Sequence, residues 1–144
     1  MSTFDDLAAS ARARKWRVLL VDDHAHVVRV LRLTLEREGF EVAAAGNGKE
    51  GLWIAELREP DAVVTDIQMP QMDGRELCAA LDKAYPGRKF PIFVMTSMTA
   101  RSEREWSSAM QNVTFLEKPV SPRELVARLV ELRSASLEGM AWPS

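Results

Sequence analysis

The chain has 144 residues, 47% hydrophobic and 28% charged, with seven Gly and seven Pro; this is the profile of one globular domain and leaves no length for a second full one. Nineteen basic residues against twenty-one acidic give a net charge of -2, so no excess positive field exists to hold nucleic acid through its phosphates. The single cysteine, Cys78, can form no internal disulfide, and no apolar run approaches the roughly 20 residues of a membrane span; both fit a reducing cytoplasm.

Residues 1–15 read as a short extension, helical or frayed. Arg12-Ala13-Arg14-Lys15 has some of a transit peptide's character, but Asp5 and Asp6 argue against one. From Trp16 onward, short β-branched runs alternate with stretches of helical period. Arg17-Val18-Leu19-Leu20-Val21 is the first strand; after Asp22-Asp23, Val27, Val30, Leu31 and Leu35 mark one face of a helix that Gly39 stops. Residues 40–45 form a second, weaker strand. Gly46-Asn47-Gly48 turns the chain, and Leu52, Ile54, Ala55 and Leu57 begin a helical segment ended by Pro60. A third strand, 61–66, leads through the irregular Met69-Pro70-Gln71-Met72-Asp73-Gly74 to a helix near 75–85.

The fourth strand is 91–96, followed by a polar helix around 102–110, a short strand 114–116 and a last helix opened by Ser121-Pro122 with Glu124 at the capping-box position. Leu125, Val126, Leu129 and Leu132 give that helix its expected buried face. Residues 134–144 lack periodicity and read as a flexible tail, leaving 16–133 as the domain. Five strand signals separated by helical ones specify an α/β doubly wound parallel sheet, because parallel neighbours need crossover helices.

In an open parallel sheet, ligands bind outside the carboxyl ends of the strands. The residues there are Asp22 and Asp23, Asp66, Thr96 and Lys118. Singly, each has an ordinary role as a helix cap, a strand residue or a surface charge. Together they make a different case. Three converging carboxylates repel one another unless a divalent cation sits among them, and oxygen-only ligands favour Mg²⁺ or Mn²⁺ over zinc. A lysine and a hydroxyl facing that cation suit an anion with several acceptor oxygens, and phosphoryl fits best.

Val21-Asp22-Asp23, Asp66-Ile67-Gln68-Met69-Pro70 with Met72-Asp73-Gly74, Val94-Met95-Thr96-Ser97 and Phe115-Leu116-Glu117-Lys118-Pro119 each fall at the end of a predicted strand. In that order they resemble the receiver domain of two-component response regulators over residues 16–133. The resemblance implies a flavodoxin-like (βα)5 fold with strand order 2-1-3-4-5. It implies Asp66 as phosphoacceptor from a phosphohistidine on a sensor histidine kinase or histidine phosphotransfer protein. Asp23, Asp66 and the Gln68 backbone carbonyl would hold Mg²⁺, with Asp22 acting through water. Lys118 and Thr96 would engage the phosphoryl oxygens, and Pro119 would follow a cis peptide. It further implies a switch in which the Thr96 hydroxyl moves inward as Phe115 buries its ring. That would reshape the face made by the 102–110 helix, the fifth strand and the last helix for a downstream protein partner. Phe115 lacks a hydroxyl, so such a switch must be read through ring burial and shape.

The expected protein is therefore a cytoplasmic phosphoacceptor without a fused output domain, not a turnover enzyme, binding neither nucleic acid directly nor a membrane. It would catalyse only its own phosphorylation and slow autodephosphorylation. The alternatives are a phosphorylation-independent receiver-like binding module and a receiver fragment of a larger regulator or hybrid histidine kinase. A haloacid-dehalogenase-type phosphatase needs a general-acid carboxylate where Gln68 stands, and an FMN carrier's phosphate loop would be repelled by Asp22-Asp23.

Several positions depart from the commonest receiver pattern. Ser97 replaces a small apolar residue, and Met110-Gln111-Asn112-Val113 lacks the usual Ala and Gly. Gln68 and Met98 stand two beyond Asp66 and two beyond Thr96, positions that in receivers border the path of a hydrolytic water, so the resemblance implies that bulky Met98 slows loss of the phosphate. His24 and His26, two apart on a helix, read as partly exposed residues facing different directions.

Overall fold

A computed structural model describes residues 15–97, 105–106 and 110–141 of the chain. Five short strands follow the β-branched runs: β1 (Arg17–Val21), β2 (Glu41–Ala45), β3 (Ala62–Asp66), β4 (Ile92–Thr96) and β5 (Val113–Glu117). Between and after them lie α1 (Ala25–Arg37), α2 (Gly48–Leu57), α3 (Gly74–Ala84) and α4 (Pro122–Ala141). All strand pairs are parallel and the sheet order is β2-β1-β3-β4-β5, so this is the doubly wound α/β fold the alternation specifies. The order reverses between β1 and β3, which places a crevice at their carboxyl ends.

Strand alternation divides the core in two. Val18, Leu20, Val64, Phe93 and Met95 point to the face covered by α1 and α4, where they meet Leu31, Leu35, Leu125 and Leu129. Leu19, Val21, Val63, Ile92 and Val94 point to the opposite face, against Ala55 of α2 and Leu77, Cys78 and Leu81 of α3. Because β1, β3 and β4 are covered on both faces, their residues 18–21, 62–66 and 92–96 are buried without interruption.

Local chemistry sets the helix ends. Asn47 caps α2 by accepting from the Glu50 N–H at 2.8 Å, so the helix starts inside the expected Gly46-Asn47-Gly48 turn. Asp73 and Glu76 form a reciprocal capping box at the start of α3, directly behind the β3 loop. Asn112 adopts a left-handed φ of 55° before β5, where glycine or asparagine is favoured, and its side-chain amide donates to the Lys89 carbonyl at 2.9 Å. The turn without small residues is thus closed by an asparagine.

Burial differs from the expected helix faces at several places. Val30 is 48% exposed and Leu132 37% exposed, although periodicity puts both on buried stripes. Val30 lies at the flank of α1, where it lines an open cavity together with Pro119 and Val120. The segment 134–144, expected as a flexible tail, is helical as far as Ala141. Its Ala, Ser, Leu, Glu and Met residues continue a helix by backbone propensity without requiring an apolar stripe. The predicted 102–110 helix falls mostly outside the described residues, with Glu105 and Trp106 helical; Met98 and residues 1–14 are also outside them.

Cys78 is completely enclosed in α3, and burial pushes its thiol up to about 12. A thiol-specific disulfide reagent at about pH 8 is therefore expected to label it only after denaturant is added. Stoichiometric labelling of the native protein within minutes would contradict this packing.

Candidate phosphoryl-transfer site

The carboxyl ends of β1, β3, β4 and β5 bring the sequence-predicted residues to one crevice. Asp22 and Asp23 follow β1, Asp66 ends β3, Thr96 ends β4 and Lys118 follows β5. Parallel register sets Asp66 opposite Met95 and Thr96 opposite Glu117, so these ends are level. Backbone hydrogen bonds extend that alignment beyond the strands: Ile67 N–H to the Met95 carbonyl at 3.2 Å, and Lys118 N–H to the Thr96 carbonyl at 3.0 Å.

Asp66 and Thr96 are fully buried, Asp22 is 5% exposed and Asp23 is exposed. Lys118 Nζ lies 2.6 Å from Asp66 Oδ1, which also accepts the Ile67 N–H at 2.8 Å. The other oxygen, Asp66 Oδ2, is buried without a hydrogen-bond partner. A buried carboxylate oxygen in this condition keeps its acceptor capacity for something that enters the crevice. The Lys118–Pro119 peptide is cis, and Phe115 stands three residues before Lys118 with its ring edge-on to Trp106, centroids 5.1 Å apart. Arg75 in turn lies over the Trp106 ring at 5.5 Å. Gln68 is exposed in the loop two residues beyond Asp66.

That loop folds tightly because of one glycine. The Gly74 N–H donates to the Ile67 carbonyl at 2.8 Å, and a Cβ on Gly74 would lie 2.4 Å from the Asp66 carbonyl oxygen. Only a residue without a side chain allows α3 to start so close to the end of β3.

One member of the site escaped the sequence reading. His24 caps α1 in an extended conformation, φ -95° and ψ 101°, so its side chain does not follow the helical direction that separates it from the crevice. Its Nδ1 lies 2.8 Å from Asp22 Oδ1, 3.2 Å from Asp23 Oδ1 and 3.8 Å from Asp66 Oδ2. The hydrogen bond to Asp22, then the charges of Asp22 and Asp23, raise the imidazole pKa above its ordinary value. The available signal was positional: a histidine directly after an acidic pair at a strand end is placed by the turn before the helix period begins. The group of candidate ligands is therefore wider than the oxygen-only set read from the sequence: three carboxylates and an imidazole nitrogen, whose ligand atoms all lie within 4.8 Å of one another, could hold a metal.

The family model described as the response regulator receiver domain matches residues 18–130. The chain belongs to the response regulator receiver family. The alkaline phosphatase synthesis transcriptional regulatory protein PhoP of Bacillus subtilis is 34% identical over 113 residues, which are 78% of this chain and 46% of that protein. This receiver therefore spans about half the length of the curated relatives it matches. Among solved structures, the chemotaxis protein CheY4 of Vibrio cholerae superposes with a TM-score of 0.75 at 29% identity, covering 82% of this chain and 98% of that one. The receiver domain of sensor histidine kinase PA1611 from Pseudomonas aeruginosa, with a magnesium ion coordinated in its active-site cleft, superposes with a TM-score of 0.72 at 26% identity, covering 84% and 99%. Among the described residues of this receiver, no helix is long and apolar enough to cross a membrane.

Proposed function

We propose that this receiver accepts a phosphoryl group on Asp66 from a phosphohistidine of a sensor histidine kinase or histidine phosphotransfer protein. One observation carries the reading: a buried Asp66 with one oxygen against Lys118 and the other without a hydrogen-bond partner, at the crevice where the strand order reverses. In the transfer an Asp66 carboxylate oxygen bonds to phosphorus as the phosphorus–nitrogen bond breaks, and the departing imidazole takes up a proton. The product is an acyl phosphate.

Asp23 and Asp66, the Gln68 backbone carbonyl and, through water, Asp22 fit a small divalent cation, Mg²⁺ or Mn²⁺, since the carboxylates crowd together and Asp66 Oδ2 has acceptor capacity left. When bound, the cation offsets the charge of the transferring group. Lys118 balances part of the Asp66 charge beforehand and pairs with the phosphoryl oxygens afterwards. Thr96, one residue beyond the Met95 that pairs with Asp66 on the neighbouring strand, hydrogen-bonds to one of those oxygens once they are in place. The reaction is a single transfer onto the protein followed by slow loss to water, which makes this a signalling phosphoacceptor and not a turnover enzyme. The transcriptional role in the relatives' names belongs to proteins about twice as long and is not part of this reading.

Incubation with acetyl phosphate and Mg²⁺ tests the proposal. One phosphoryl mass should appear on the peptide holding Asp66, be removed by hydroxylamine as an acyl phosphate is, and fail to form with a chelator present. No uptake would leave a phosphorylation-independent binding module, and uptake on Ser or Thr would exclude this mechanism.

Signalling requires a two-state element that the new charge biases. Phe115 is half-buried, packed against the second core cluster, and Trp106 lies across its ring. Inward motion of Phe115 must change the surroundings of Trp106 and the face it shares with β5 and α4, where a downstream protein would dock. Phosphorylation is expected to shift tryptophan emission in the wild type and not in Trp106→Phe. Equal shifts in both proteins would remove this ring pair from the switch.

A further inference from the structure

The imidazole in the carboxylate cluster has a chemical consequence for the cation. His24 Nδ1 sits 2.8 Å from Asp22 Oδ1 and 3.2 Å from Asp23 Oδ1. Adjacent donors on one octahedral first-row ion, with bonds of about 2.1 Å, stand roughly 3 Å apart. The nitrogen thus stands at ligand spacing from Asp23, the aspartate read above as a direct ligand, and Asp66 Oδ2, buried and lacking a hydrogen-bond partner, lies 3.8 Å from the same nitrogen. Backbone geometry holds the ring there: the His24 N–H donates to Asp22 Oδ1 at 2.8 Å, tying the residue to the carboxylate its ring also contacts.

We propose that His24 Nδ1 is a direct ligand of the cation in this crevice, so that the receiver selects a nitrogen-binding first-row divalent ion of the Zn²⁺ kind over Mg²⁺ by more than its carboxylates alone would. The inference rests on the reading above that the crevice holds a divalent cation. Carboxylates and water bind Mg²⁺ well, whereas an imidazole adds little to it. The same nitrogen adds strongly to Zn²⁺, and to Mn²⁺ by a smaller amount along the first-row series. His26 lines the apolar flank of α1 beside Val27, Val30 and Pro119, is absent from the cluster of candidate ligands, and serves as the control. The His24 side chain is 55% exposed, so its replacement leaves no cavity in the core.

Calorimetric titrations of the full chain with ZnCl₂ and, separately, MgCl₂ at one pH and ionic strength test this. His24→Gln is expected to lower Zn²⁺ affinity about tenfold or more while changing Mg²⁺ affinity by less than about twofold. His26→Gln should leave both metals unchanged. Pulsed electron paramagnetic resonance of the Mn²⁺-loaded protein should show an imidazole nitrogen coupling that His24→Gln removes. Parallel losses for both metals would mean that His24 acts only by positioning Asp22, and would overturn the proposal, as would unchanged Zn²⁺ binding or a missing nitrogen coupling. If the wild type binds Mg²⁺ and Zn²⁺ is indifferent to His24, only the ligand assignment falls. If the wild type binds neither cation, the metal reading falls with it.

Discussion

Asp66→Asn is expected to take up no phosphoryl group from acetyl phosphate and, in metal-free buffer, to be more stable than the wild type. An amide is close to isosteric but offers no carboxylate oxygen to bond to phosphorus, so the loss of labelling is complete. Stability moves in the opposite direction because of what the fold has enclosed. Asp66 is fully buried, with ligand atoms of Asp22 and Asp23 within 4.8 Å; among the described residues Lys118 is its closest cation at 2.6 Å, with the His24 imidazole farther off at 3.8 Å. At that separation each like-charge contact costs about 3 kcal/mol for an effective dielectric near 20, and less where Asp23 is solvated. Losing Lys118's partner costs little, since the ammonium is 35% exposed and regains water. A net gain of about 1 kcal/mol is expected by chemical denaturation. Added Mg²⁺ should shrink the gain, since a cation bound by the native wild type stabilises it by mass action. A variant that still labels, or that unfolds more easily without metal, would refute this account of the cluster.

Gly74→Ala should be the most damaging single-methyl change in the loop that carries the site. Its Cβ would lie 2.4 Å from the Asp66 carbonyl oxygen and 2.8 Å from Ile67 Cα, both backbone atoms that cannot rotate away. Relief requires α3 to withdraw from β3, which breaks the Gly74 N–H bond to the Ile67 carbonyl and disturbs the segment that aims Asp66. A loss of about 3 kcal/mol is expected, at the upper end for overpacking because the obstacle is main chain. Gly46→Ala is the matched control: no atom lies within 4 Å of its added Cβ, and it should fall within about 0.5 kcal/mol of wild type. Equal denaturation midpoints for the two variants would show that the β3–α3 approach is softer than its geometry implies.

The strands were legible because each is an apolar run of the kind a covered parallel sheet requires, whereas their order was implied only by the resemblance to receivers. Val18-Leu19-Leu20-Val21 and Ile92-Phe93-Val94-Met95 are apolar on both faces, and each is followed by a segment long enough to cross over. Asp22, Asp23, Asp66, Thr96 and Lys118 were legible for a related reason: they end strands, and parallel strands end on one edge. Less visible were features set by what a surface meets. Val30 and Leu132 satisfy helical periodicity yet stay exposed, because period reports which residues share a face and not whether another element reaches that far. The helix through 134–141 needed no amphipathic stripe, so a search for stripes passed over it.

The sequence by itself determined the fold class, the strand ends and the identity of the acidic and basic groups gathered there, since these follow from periodicity and the parity of parallel strands. The tertiary structure alone decided how those groups meet. Which Asp66 oxygen faces Lys118, which is left without a partner, and that His24 turns into the cluster while His26 does not all depend on one cap residue's dihedrals and on distances between chain segments 42 to 52 positions apart. No local pattern encodes such distances. They arise when packing on both faces of the sheet brings the strand ends level.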